Sequence, residues 1–216
     1  MTDATDPAHE KRRAAFEVAA AIDDQTERLL EAAAVVAEEL AEIGRAPIIV
    51  GGLAVAYWAE GVETTGDIDV AMPDHPALDE HLELLGLRKE GRVWVTTDRR
   101  VVWERPADAL PPGWTTITAE LRSRRSIRVI SLEDAIIDRM HSLDATGDLD
   151  SFNRALTLLG VAGIDRNRLE SRATDEGLVT VLGRLDEAAA RLADGHVFEA
   201  HEVHDLFGSF GRGSTM

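Results

Sequence analysis

The sequence predicts an α+β (mixed α/β) fold, a small mixed β-sheet core flanked by N- and C-terminal helical segments. Three observations carry this. Apolar residues recur at helical spacing near both ends; short β-branched runs punctuated by glycine fill the middle; and 216 residues suit one substantial core with at most a small helical companion. The expected divisions are an N-terminal helical segment over 1–46, an α/β core over 47–130, a helical region over 131–207 and a frayed, disordered tail over 208–216.

The first segment, 7–44, is rich in Ala, Glu and Leu. Its Leu29, Ala33, Val36, Leu40 and Ile43 recur at alternating steps of four and three, which predicts one amphipathic helix ending at Gly44. The run 47–50 reads as a strand, closed by Gly51-Gly52, and 53–58 resumes as a helix. After a loop at 61–66 that carries Thr64 and Thr65, carboxylates alternate with Ile68 and Val70 over 67–72, the pattern of a second strand. A helix is expected over 76–85 and a hairpin over 92–96 and 100–104, turning near Asp98. Pro111-Pro112-Gly113 interrupts the chain, and 126–130 is a further strand. Ser131 with Asp134 approximates a capping box ahead of a helix lined by Leu132, Ile136, Met140 and Leu143. Helices follow at 149–159 and along Leu178, Leu182, Leu185, Ala189 and Leu192.

Composition bounds the chemistry. No run approaches the ~20 apolar residues of a membrane span, and the first ten residues lack the basic-then-apolar order of a secretory signal, so the expected setting is cytoplasmic, with no membrane partner. The absence of cysteine excludes disulfides, thiolate nucleophiles and cysteine-ligated zinc. The formal net charge is −17, and of the 23 basic residues only Lys11 and Lys89 are lysine. An acidic, lysine-poor surface fits a halophilic protein in concentrated salt, where self-repulsion is screened within about 3 Å at 1 M. A cationic partner is the rival reading of the same charge, and net charge alone does not exclude a nucleic-acid substrate.

The paired glycines leave a strand-to-helix turn without Cβ atoms, where backbone N–H groups and the positive helix end can receive a phosphate. Tight packing is the ordinary alternative. Asp67 and Asp69, two apart on a strand, share one face with side-chain origins ~6.6 Å apart. Two carboxylates side by side call for a cation, and Mg²⁺ or Mn²⁺ suits their hard oxygens; simple solvation on an open face is the alternative. His196, His201 and His204 crowd the carboxyl end, but His201 and His204 are three apart, one short of the spacing of the familiar helical zinc motif. Surface or capping roles are expected of them.

Val50-Gly51-Gly52 followed by Asp67-Ile68-Asp69-Val70 resembles the signature of the nucleotidyltransferase superfamily related to DNA polymerase beta. The resemblance covers about 48–72 directly and is looser to about 159. There, Glu133-Asp134, Arg139 and Asp148-Leu149-Asp150 look like the helical region of small prokaryotic and archaeal single-domain members, which include abortive-infection toxins. The gap over 53–66 is slightly longer than usual, and the customary serine of the glycine turn is absent. The resemblance implies that Gly51 and Gly52 hold a nucleoside triphosphate, that Asp67 and Asp69 hold Mg²⁺ (or Mn²⁺), and that a third carboxylate stands on a later strand. Glu104 is the best-placed candidate, with Asp98 nearby in the turn. Thr64 and Thr65 lie close to the metal pair, and Arg139 stands where similar families carry an active-site lysine. Asp148 and Asp150 are read as structural.

The function implied is transfer of a nucleoside monophosphate from a triphosphate to an acceptor hydroxyl on protein or RNA, with Asp67, Asp69 and Glu104 as catalytic residues and metal ligands. A second reading is a catalytically inactive module that binds nucleotide and a cognate partner protein, as half of a toxin-antitoxin pair. A third is a plain α/β domain with two exposed acids.

Overall fold

The computed structural model describes residues 6–60 and 63–207; the first five residues, Gly61 of the expected loop and the expected frayed tail at 208–216 lie outside the described residues. The chain divides into two compact units, Met1–Ser131 and Leu132–Met216.

The first unit opens with α1 (Pro7–Ala20) and α2 (Gln25–Leu40), so the single helix expected over 7–44 is broken in two. Asp24 causes the break. Its side chain accepts the N–H of Glu27 at 2.8 Å and so starts a new helix. Arginines satisfy the carbonyls of the link between the two helices: Arg28 donates to the oxygens of Ile22 and Asp23 at 2.7 and 3.0 Å, and Arg100 donates to Ile22 at 2.8 Å. The expected seam belongs to α2, where Leu29, Val36 and Leu40 are 0% exposed and Ala33 3%. A 3-10 turn (Ala41–Ile43) ends at Gly44, whose φ of +68° closes the segment.

A seven-stranded mixed sheet follows, in the order β3-β4-β5-β2-β1-β7-β6. Its strands are β1 (Ile48–Ile49), β2 (Ile68–Ala71), β3 (Arg88–Glu90), β4 (Val93–Val95), β5 (Val102–Ala107), β6 (Thr116–Glu120) and β7 (Ser126–Ile130). Helix α3 (Gly51–Trp58) joins β1 to β2, and α4 (Leu78–Leu84) precedes β3. β1 runs antiparallel to β2 and parallel to β7; β2 runs parallel to β5. The expected hairpin is β4 with β5, paired antiparallel. β3 and β6 were not expected. β3 is an edge strand of three polar residues with no apolar alternation to mark it, whereas β6 does alternate Thr116 and Thr118 with Ile117 and Ala119. One face of the central strands is sealed: Ile68, Val70, Val101 and Trp103 are all 0% exposed, and α2 packs against α3, α4 and β7.

The second unit is helical: α5 (Leu132–Thr146), α6 (Leu149–Leu159), α7 (Arg166–Asp175), α8 (Val179–Ala193) and α9 (Ala200–Phe207). Met140, Leu143, Leu158, Leu169, Leu185 and Val203 are fully buried. Along α8 the expected stripe drifts toward its end, since Ala188 is buried while Leu192 is 41% exposed. Asp134 is 0% exposed, and Arg168 and Arg172 of α7 neutralise it at 2.5 and 3.3 Å. Asp148 caps α6, accepting the N–H of Ser151 at 2.8 Å and its hydroxyl at 2.9 Å. Among the described residues, no helix is long and apolar enough to cross a membrane.

Candidate functional site

β1 delivers the chain into Gly51, the first residue of α3, with φ +60°. A Cβ added there would stand 2.6 Å from Oδ2 of Asp69, so both the backbone conformation and the space demand glycine. The two strands are tied at the same level, the N–H of Val50 donating to the carbonyl of Asp69 at 3.0 Å. Valine at the N-cap cannot supply a capping oxygen, and α3 has no side-chain cap bond at that position. The carboxylate of Asp69 thus stands at the positive end of α3, where a negative charge is favoured.

Glu104 occupies the neighbouring strand in register. In the parallel pairing of β2 and β5, Ile68 faces Trp103 and Asp69 faces Glu104, before the register slips ahead of Ala71. Since Ile68 and Trp103 fill the sealed face, Asp69 and Glu104 share the other, both half-buried. Glu104 is paired with Arg92 at 3.5 Å. Asp67 immediately precedes β2, half-buried, and its Oδ1 accepts the hydroxyl of Thr65 at 2.9 Å. The carbonyl of Thr65 is itself held by Gln25 of α2 at 2.6 Å, which anchors the approach to β2. Thr64 is exposed.

Asp98 is committed elsewhere. It accepts the Thr96 hydroxyl at 2.7 Å and the N–H of Arg100 at 3.1 Å, and these bonds, the Thr96 bond foremost, hold its carboxyl below the usual range. It builds the turn between β4 and β5. Arg139 belongs to the second unit, on α5, with its guanidinium bonded to Asp138 of the same helix.

The arrangement offers oxygen donors, a positive helix end and a glycine with no room for a side chain, a set matched to a hard divalent cation and a phosphate. The acids remain apart. Among the described residues, the trio of His, Asp or Glu whose ligating atoms all lie within 4.8 Å of one another is His9, Glu39 and His81, not Asp67, Asp69 and Glu104. Sequence reasoning missed the histidine cluster, because its members come from three helices and share no local spacing. His196, by contrast, contacts Glu202 at 3.1 Å, and His201 is exposed.

No protein-family model and no curated protein matches the sequence. Among solved structures, the chain is similar to the antibiotic-resistance factor ANT(2'')-Ia in its solution structure, at 18% identity and a TM-score of 0.44, covering 74% of this chain and 94% of that one. A likeness of that degree assigns no activity to this chain.

Proposed function

We propose that the first unit is a metal-dependent nucleotidyltransferase, moving a nucleoside monophosphate from a triphosphate to an acceptor hydroxyl on protein or RNA with release of pyrophosphate. The observation that carries the reading is the juxtaposition of Gly51, whose missing Cβ leaves room only for the Asp69 carboxylate, with Glu104 in register beside Asp69. A Gly-Gly turn, a strand carboxylate pair and a third acid on the adjacent strand is the constellation that the sequence signature implies.

In this reading Asp67 and Asp69 hold Mg²⁺ or Mn²⁺, and Glu104 either completes the set or takes the proton of the attacking hydroxyl. When bound, the cation neutralises the triphosphate and the leaving pyrophosphate. Thr65 fixes the rotamer of Asp67 by donating to Oδ1, and the amides opening α3 receive a phosphate oxygen. Thr64 is a proposed hydroxyl donor to the same phosphate.

The test is Mg²⁺-dependent transfer of label from each of the four nucleoside triphosphates to the protein itself, to RNA or to lysate, at high salt. Asp67→Asn and Asp69→Asn are each expected to cut transfer by at least about 100-fold, the scale of losing one electrostatic partner of a transition state. A folded protein that transfers nothing to any acceptor overturns the proposal.

The pairing of Glu104 with Arg92 favours a second reading, a module that binds triphosphate and a cognate protein in a toxin-antitoxin pair without catalysis. Calorimetry that finds binding dependent on both Asp67 and Asp69, with no pyrophosphate released, selects it.

A further inference from the structure

Glu39 lies on α2 with its side chain 0% exposed, and three side chains converge on it. Arg12 of α1 donates through Nε to Oε2 at 2.6 Å, while its Nη1 reaches Glu42 at 3.0 Å. Arg12 therefore sets a fixed positive charge against the buried carboxylate and shares it with Glu42. Burial pushes the Glu39 carboxyl up, but the bonds from Arg12, His9 and His81 outweigh it and hold the group below its ordinary range, so it is ionised near neutral pH.

Both imidazoles reach the other oxygen, Oε1, and His9 also reaches Oε2 at 3.0 Å. Nδ1 of His9, from α1, is 2.8 Å from Oε1, and Nδ1 of His81, from α4, is 2.6 Å from it. The three donor atoms all lie within 4.8 Å of one another. An ionised carboxylate only accepts, so His81 presents Nδ1–H to it, while Nδ1 of His9 lies between the carboxylate and the donor Nη2 of Arg12, 3.3 Å away. Two imidazoles thus converge on a carboxylate that already holds an arginine. Their Nδ1 atoms and Oε1 define a point of convergence for an ion.

We propose that His9, Glu39 and His81 bind a divalent transition ion, with Zn²⁺ the best match, and that the ion fastens α1 to α2 and α4 within the first unit. Two imidazole nitrogens and one carboxylate oxygen favour Zn²⁺ or Co²⁺ over the hard Mg²⁺ suited to an all-oxygen set. Zinc binds such ligands at about 2.0–2.2 Å in a tetrahedron, which places neighbouring donors about 3.3 Å apart. The imidazoles must therefore withdraw from Oε1 by roughly half an ångström, a motion within reach of their side-chain torsions. Binding needs a lone pair on each Nδ1, so each bound ring carries its proton on Nε2. Arg12 keeps Oε2 occupied, so Glu39 ligates through Oε1 alone.

Three protein ligands leave one position of the tetrahedron for water. A groove of about 400 Å³ beside His9, lined also by Glu10, Arg13, Glu80, Glu83 and Leu84, supplies the way in, with three acids against one arginine to concentrate cations.

The experiment is titration of the chelator-treated full chain with Zn²⁺ by calorimetry and with Co²⁺ by visible absorption. One equivalent with the intense bands of four-coordinate cobalt is expected. His9→Gln and His81→Gln, checked for folding by circular dichroism, should each weaken binding at least ~100-fold, beyond the ~10–100-fold typical of losing an outer partner. Asp69→Asn should leave it unchanged, which separates this site from the proposed catalytic one. Nitrogen NMR of the unmutated protein supplies a readout independent of folding in the variants: saturating Zn²⁺ should move His81 to the Nε2–H tautomer and hold His9 in the same form. An unchanged His81 tautomer, or equal zinc affinity in His81→Gln and the parent, overturns the proposal and leaves the cluster as a hydrogen-bonded clasp.

Discussion

Gly51 illustrates how one atom's absence positions a carboxylate. With φ at +60° a side chain there is strained by about 1–2 kcal/mol, and its Cβ would also press on Oδ2 of Asp69 at 2.6 Å. Gly51→Ala is therefore expected to lower both the unfolding midpoint and nucleotidyl transfer. Gly66→Ala, where a Cβ meets nothing within 4 Å, is the matched control and should be near neutral in both assays. Equal effects of the two substitutions would remove the steric argument. At this scale the sequence was legible wherever chemistry was local. Gly51-Gly52 and Asp67 with Asp69 stand out by spacing alone, and alternation along 100–104 put Glu104 on a definite face. The register that sets Glu104 beside Asp69 is a non-local fact of strand pairing that spacing does not encode. For the same reason His9, Glu39 and His81 left no trace in any window.

Helix ends decide where the elements begin. Asp148 starts α6 by accepting the N–H and hydroxyl of Ser151. Burial pushes its carboxyl up, but the bonds from Thr146 and Ser151 prevail and hold it below the usual carboxylate range. A carboxyl depressed in the folded state adds stability above its unfolded pKa, about 3.9, and loses it as pH falls through the lower folded value. Asp148→Ala should therefore cost about 1 kcal/mol near pH 7. Its gap from the parent should narrow as pH drops below about 3.9; a gap constant across denaturation curves from pH 7 to 3 would show that the charge contributes nothing. The break between α1 and α2 obeys the same rule. Asp24 followed three residues later by Glu27 is a capping signature, and it lies inside the Ala- and Leu-rich stretch read as one helix. Strand β3 was illegible for a different cause: an edge strand of Arg88, Lys89 and Glu90 buries too little to leave an apolar imprint.

Across the whole molecule, forty acidic against twenty-three basic residues make self-repulsion the dominant long-range force. Screening shortens from about 10 Å at 0.1 M salt to about 3 Å at 1 M, so the melting temperature is expected to climb steadily over that range. A flat or falling curve in NaCl and KCl would argue against adaptation to concentrated salt and in favour of a cationic partner. Within the sheet, the two-residue β1 is the sole strand that bonds to both β2 and β7 among the described residues. The sheet is thus two ribbons, one of four strands and one of two, buttoned together by Ile48 and Ile49. Helix α2 packs across both ribbons, but the hydrogen-bonded seam between them is the same short stretch of chain that runs into Gly51. Because Val50, next along that stretch, is bonded to the carbonyl of Asp69, opening of the seam would carry the glycine turn with it, and a ligand held at the turn is expected to steady the seam as well.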